Sequence, residues 1–140
     1  IKGIFLLFVF PIYKGLCELG SHNSLLCVSM SESNEERRIA ALNATKAFSG
    51  FLRSKGIEGW AKRYEVISTA LEEGNIQHAI SQENHIPKGG MGGLTDLYIC
   101  KENGHTTDNP EQDNNLLMQH IGLVSQAFSQ LRKQVKGYVS

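Results

Sequence analysis

Read by the spacing of its apolar and polar positions, the chain divides into helical stretches separated by glycine, asparagine and proline. The clearest stretch lies near the C-terminal end. There Leu117, Ile121, Val124, Phe128, Leu131 and Val135 recur in steps of three and four, the spacing that gathers side chains on one face of an α-helix. Asn109 is placed to cap that helix, and Pro110 suits its first position, where an amide would have no partner. Arg132, Lys133 and Lys136 fall in its last turns, where cations complement the helix dipole. A second stripe, Ile39, Leu42, Thr45, Phe48 and Leu52, follows the capping box Ser33-x-x-Glu36 and stops at Gly56. A third runs through Trp60, Tyr64, Ile67 and Leu71, with Gly74 as its terminal glycine. Asn75 then caps a short helix holding Ile76, Ala79 and Ile80. His85-Ile86-Pro87 ends it, because the residue before a proline is pushed out of helical geometry.

After that proline the pattern changes. Gly89-Gly90-Met91-Gly92-Gly93 is a glycine-rich turn, and Leu94 to Cys100 is rich in β-formers, so it reads as one strand or extended segment. Asn103-Gly104 is a tight-turn signal, and a polar loop continues through Asp108. The expected fold is therefore mainly α: three to four packed helices with a small extended or β element after the glycine-rich turn.

The 140 residues suit a single domain and can bury enough surface to fold without a metal or disulfide staple. Within it, residues 1–31 form an apolar N-terminal arm and residues 32–140 the helical core. Lys2 followed by Ile4 to Phe10 resembles the start of a secretion signal, but Pro11, Lys14 and Glu18 break the pattern and no clean cleavage site follows. The run is also far short of the ~20 residues a membrane-spanning helix needs. The favoured reading is a strand or short helix docked on the domain, with an exported or membrane-attached protein anchored by residues 1–13 as the alternative. Cys17, Cys27 and Cys100 make no disulfide framework and contain no C-x-x-C pair. They read as small apolar side chains in a reducing, cytoplasmic compartment; a Cys17–Cys27 bridge belongs to the periplasmic or membrane-associated alternative.

Fourteen basic residues cancel fourteen acidic ones, which argues against general nucleic-acid binding, since counterion release needs a clustered basic face. The glycine turn lacks the lysine of a phosphate loop, and Lys88 precedes it instead of following; nor does a strand lead into it as in a dinucleotide fingerprint. Its glycines read as an architectural crossing, with Met91 as a plug for the core and Asp96 bonded to the turn's amides. No histidine pair has metal-ligand spacing, and no cofactor is called for. Cys100, His105 and Asp96 are a conceivable catalytic set for a small hydrolase or ligand-binding enzyme. Between Glu102 and Arg132 there is no lysine or arginine, while Glu102, Asp108, Glu111 and Asp113 are acidic. Such a loop suits a basic protein partner through steering and complementary contacts. Solvation alone accounts for it equally well.

From about Gly56 to Lys133 the chain resembles a small bacterial family of uncharacterised domains. The residues that carry the likeness are Trp60-Ala61, the Glu72-Glu73-Gly74-Asn75 turn, Gly89-Gly90-Met91-Gly92 continuing to Leu94, Asp96 and Leu97, Asn103-Gly104-His105 and the Asn115–Leu131 helix. The glycine motif, written GGMG-x-[LF]-x-D, is the most specific of these. Gly93 stands where that family usually has serine, and Thr95 where it often has asparagine. By size and style such proteins resemble the immunity proteins that neutralise bacterial contact-dependent or secreted toxins. The resemblance implies a non-catalytic, helical antitoxin that binds its cognate toxin directly. Glu102, His105, Asp108, Glu111 and Asp113 would then form the contact surface, with Gly89, Gly90, Met91, Gly92, Gly93 and Asp96 as the turn that positions it.

Overall fold

A computed structural model of the chain describes residues 33–139, with side chains as far as Lys136. The apolar arm, Cys17 and Cys27 lie outside the described residues, and so do the signal, anchor and docking readings attached to them. Four helices occupy the described part: α1 (Asn34–Ser54), α2 (Glu58–Glu72), α3 (Ile76–Asn84) and α4 (Pro110–Val139). Two short 3-10 turns, Leu94–Asp96 and Lys101–Asn103, interrupt the long connection between α3 and α4.

The helix ends follow from local chemistry. Past α1, Gly56 takes a left-handed φ of 76°; its N–H donates to the Arg53 carbonyl and the Ile57 N–H to the Leu52 carbonyl. That pair of bonds closes the helix while Ile57 and Leu52 are both buried, a Schellman stop with its apolar contact. Gly74, at φ 78°, ends α2 in the same way, through Gly74 N–H to Leu71 and Asn75 N–H to Ala70. The Asn75 side chain then accepts the His78 N–H at 3.2 Å and opens α3. Asn109 does the same for α4, accepting the Gln112 N–H at 3.1 Å.

α1 and α2 pack as an antiparallel hairpin, laced on the outside by Lys46–Glu72 at 2.8 Å and by Arg53 with Glu65. Inside, the Phe48 and Tyr64 rings meet with centroids 4.7 Å apart. α4 lies across α1 and touches α3, adding Leu117, Val124, Phe128 and Leu131 to one core with Leu52, Ile67 and Leu71. Trp60 sits at the rim of that core, with the Arg63 guanidinium 5.1 Å from its ring. Ile39, expected on the buried stripe of α1, is 42% exposed. Ala41, Thr45, Phe48, Ser49 and Leu52 form the buried face instead.

The expected β element is absent among the described residues. Leu94–Asp96 is a 3-10 turn, and residues 97–100 run without a strand partner. A side chain substitutes for that partner. Asn114 of α4 accepts the Ile99 N–H at 2.8 Å and donates to the Ile99 carbonyl at 2.9 Å. β-propensity describes a fit to a pleated neighbour, and here the neighbour is a helix offering one amide.

Candidate functional site

The segment from Pro87 to Asp113 carries the sequence-predicted residues, and it is secured at three places. The first is Glu83, a fully buried carboxylate at the end of α3. One of its oxygens accepts from Lys88 and the other from Arg132 of α4; Arg132 also donates to Asn84 at 2.7 Å. Tyr64 is buried beside this cluster, and burial, reinforced by the Glu83 charge, pushes its hydroxyl well above the usual phenol range.

Lys88 therefore stands at the foot of the glycine turn with its ammonium committed to Glu83. Above it the turn closes on itself. Leu94 N–H donates to the Pro87 carbonyl at 2.7 Å, and Thr95 donates to the Lys88 carbonyl through both its N–H, at 2.9 Å, and its hydroxyl, at 2.6 Å. Gly93 N–H reaches the Gly90 carbonyl at 3.0 Å. Gly90 and Gly92 hold φ of 82° and 78°, a conformation that a side chain strongly disfavours. The Asp96 carboxylate accepts the Gly92 N–H at 3.1 Å, as expected of it. An internal carboxylate thus occupies one of the turn's amides, where an anionic ligand would otherwise sit.

One expectation for this turn needs correction. Met91 is not a plug for the core: it is 101% exposed at the apex. The loop closes through its own backbone hydrogen bonds, so it has no need of a side chain to anchor it inside. The residue at position 93 is constrained by the same closure. A Cβ there would lie 2.7 Å from the Gly89 carbonyl oxygen, so no side chain fits this backbone without a shift.

The third fastening point is Asp113, in the first turn of α4. It was expected on a contact surface, but it is buried, accepting from the Thr107 hydroxyl at 2.5 Å and pairing with Lys55 at 2.8 Å. Lys55, and after it Thr107, holds the Asp113 carboxyl below the usual carboxylate range. Thr106 N–H donates to the Lys55 carbonyl at 3.0 Å, so the loop is sewn to the α1–α2 turn on both sides of Thr107. Asp113 is a strut.

Glu102, Asp108 and Glu111 are exposed, and among the described residues none of them has an ion-pair partner. His105 is half-buried, its Nδ1 accepting the Cys100 backbone N–H at 3.4 Å. Neither a protein-family model, nor a curated protein, nor a solved structure matches this chain.

The catalytic alternative needed Cys100, His105 and Asp96 to converge. His105 meets the backbone of Cys100 and not its thiol, while Asp96 is turned back onto Gly92. No hydrogen bond joins the three side chains among the described residues, and no group of three histidine, cysteine or acidic side chains there is placed to hold a metal.

Sequence reasoning missed Glu83, Arg132, Lys55, Thr107 and Asn114. Only the five-residue step from Glu83 to Lys88 was available as a signal. The Arg132–Glu83 pair spans 49 positions and the Asn114–Ile99 pair fifteen, and neither separation leaves a periodic trace.

Proposed function

We propose that this protein acts by binding another protein, and that its partner is a toxin which it neutralises as an immunity protein does. The observation that carries the binding reading is the state of Glu102, Asp108 and Glu111: three exposed carboxylates without ion-pair partners among the described residues, on a segment fixed by the Asn114–Ile99 and Lys55–Asp113–Thr107 contacts. A fixed charged surface presents its carboxylates with little ordering entropy left to lose on association. Its charge steers a basic partner toward it and suppresses wrong ones. His105 borders the surface and Asp113 supports it from beneath. The toxin class comes only from a likeness in size and style to immunity proteins, and the glycine motif adds nothing to it.

Co-expression with the product of the adjacent gene tests this reading. Co-purification of a stoichiometric complex that protects cells from that product supports it. In the complex, the triple variant Glu102→Lys, Asp108→Lys and Glu111→Lys slows association and flattens its salt dependence. A complex indifferent to all three reversals would place the interface elsewhere.

A further inference from the structure

An open-sided cavity of about 170 Å³ lies where α3 folds back against α2. α2 contributes Arg63 and Val66 to it, the end of α3 contributes Gln82 and His85, and Ile86 completes the lining. Its apolar part is Val66, half exposed, and Ile86, which is buried and held by its N–H to the Glu83 carbonyl at 3.2 Å. A space of about 150 Å³ admits one benzene ring. This cavity therefore has room for a single six-membered ring, with its substituents reaching the polar side chains.

Those side chains state what the ring must carry. Arg63 is the one permanently charged group in the lining, and no carboxylate lines it. Among the described residues Arg63 has no ion-pair partner, and its guanidinium lies over the Trp60 ring, 5.1 Å from the centroid. A guanidinium placed over a ring face keeps its N–H edge for a carboxylate, which it can grip with two parallel hydrogen bonds. Glu83, next to Gln82 in the chain, does not oppose an anion here, because Lys88 and Arg132 both bond it. His85 adds a second requirement. Its Nδ1 lies 2.6 Å from the Ser81 carbonyl oxygen, which can only accept, so Nδ1 carries the hydrogen. In the neutral ring Nε2 is then an acceptor, and a ligand that meets it must bring a donor. A larger groove that shares Val66 lacks this bias, since Lys62 and His78 are matched there by Glu65 and Glu73.

We propose that this cavity binds a ring-sized monocarboxylate that also carries a hydrogen-bond donor. Arg63 grips the carboxylate, Val66 and Ile86 pack against the ring, and His85 accepts from the donor. A monoanion matches the single guanidinium, whereas the second charge of a phosphate monoester would have no partner in the lining. Glu102, Asp108 and Glu111 do not line this cavity, so this site and the partner surface stand or fall separately.

Trp60 is the sole tryptophan of the chain, and its indole N–H therefore gives a single NMR signal beside Arg63. Titrating the full chain with 4-hydroxybenzoate is expected to shift that signal and the backbone amides of Val66, Gln82 and Ile86 along one saturable curve. The neutral 4-hydroxybenzamide leaves them in place. Arg63→Gln weakens 4-hydroxybenzoate binding by roughly tenfold to hundredfold. Arg63→Lys weakens it by less, because it keeps the charge and loses only the fork. His85→Phe removes the preference for 4-hydroxybenzoate over benzoate. Arg63 and His85 are exposed, so thermal midpoints of these variants stay near the wild-type value. The absence of a saturable shift overturns the proposal, and so does binding that 4-hydroxybenzamide shares or that survives Arg63→Gln. Tighter binding of phenyl phosphate overturns the assignment to a carboxylate, and a preference retained in His85→Phe overturns the donor.

Discussion

Glu83 offers the most discriminating test of how the site is held, because its partners differ from it in their access to water. The Glu83 side chain is fully buried, whereas those of Lys88 and Arg132 are 38% and 32% exposed. Removing the anion therefore leaves two cations that can swing outward and recover hydration. Removing a cation strands a carboxylate that cannot. Glu83→Gln keeps the volume and loses charge-assisted hydrogen bonds worth about 1.5–3 kcal/mol each, partly offset by the rehydration of Lys88 and Arg132. A net loss of about 1–3 kcal/mol follows. Arg132→Met removes the guanidinium, which lies 5.9 Å from the Phe128 ring centre, and leaves Glu83 with Lys88 alone, which approaches the about 3–5 kcal/mol of a broken buried pair. Against a total stability of about 5–15 kcal/mol for a domain, the second loss would be large. Urea unfolding followed by far-UV circular dichroism at neutral pH measures both, provided the slope with denaturant stays constant. If Arg132→Met proved no more damaging than Glu83→Gln, the asymmetry drawn from burial would be wrong. If both fell within about 0.5 kcal/mol of wild type, as ordinary surface changes do, the cluster would not be holding the loop at all.

Two further outcomes follow from the same contacts. The His120 ring lies against Phe48, with centroids 5.5 Å apart, and against Phe51, at 4.8 Å, and burial lowers its pKa from the ordinary value. Below about pH 6.5 the unfolded chain takes up a proton that the folded chain resists, so stability falls as pH drops. Urea midpoints measured between about pH 7.5 and 5.5 should decline in wild type and decline less in His120→Phe; parallel slopes in the two proteins would remove His120 as the cause. At the glycine turn, Gly93→Ala is expected to lose about 1–3 kcal/mol, because its Cβ overlaps the Gly89 carbonyl. Gly89→Ala, which meets nothing within 4 Å, stays within about 0.5 kcal/mol of wild type. Equal thermal midpoints for the two variants would show that the closed form of the turn is not the one in solution.

The local rules carried as far as the ends of the helices. Asn75 and Asn109 cap where a short acceptor precedes an apolar repeat, and Gly56 and Gly74 stop where a left-handed residue is needed. Each of these features is decided within about one helical turn, so adjacent residues suffice to reveal it. Asp96 bonding to the glycine turn is of the same kind, spanning four residues.

Contacts made across the fold were not legible in that way. Leu94 to Cys100 has the composition of a strand, yet no partner strand is present among the described residues, and Asn114 satisfies Ile99 from a helix. Asp113 is acidic and near exposed acids in sequence, but Lys55 and Thr107 meet it in space and make it a support. Met91 was assigned inward because large apolar residues usually are; the loop's own backbone bonds leave it outside. Sequence alone determined where the helices stop and, apart from Ile39 on α1, which face of each turns inward, because periodicity and capping act over a few residues. Only the tertiary structure decided which charges are buried as struts and which stay exposed, because a pair such as Glu83 and Arg132 becomes adjacent only once α3 and α4 have packed.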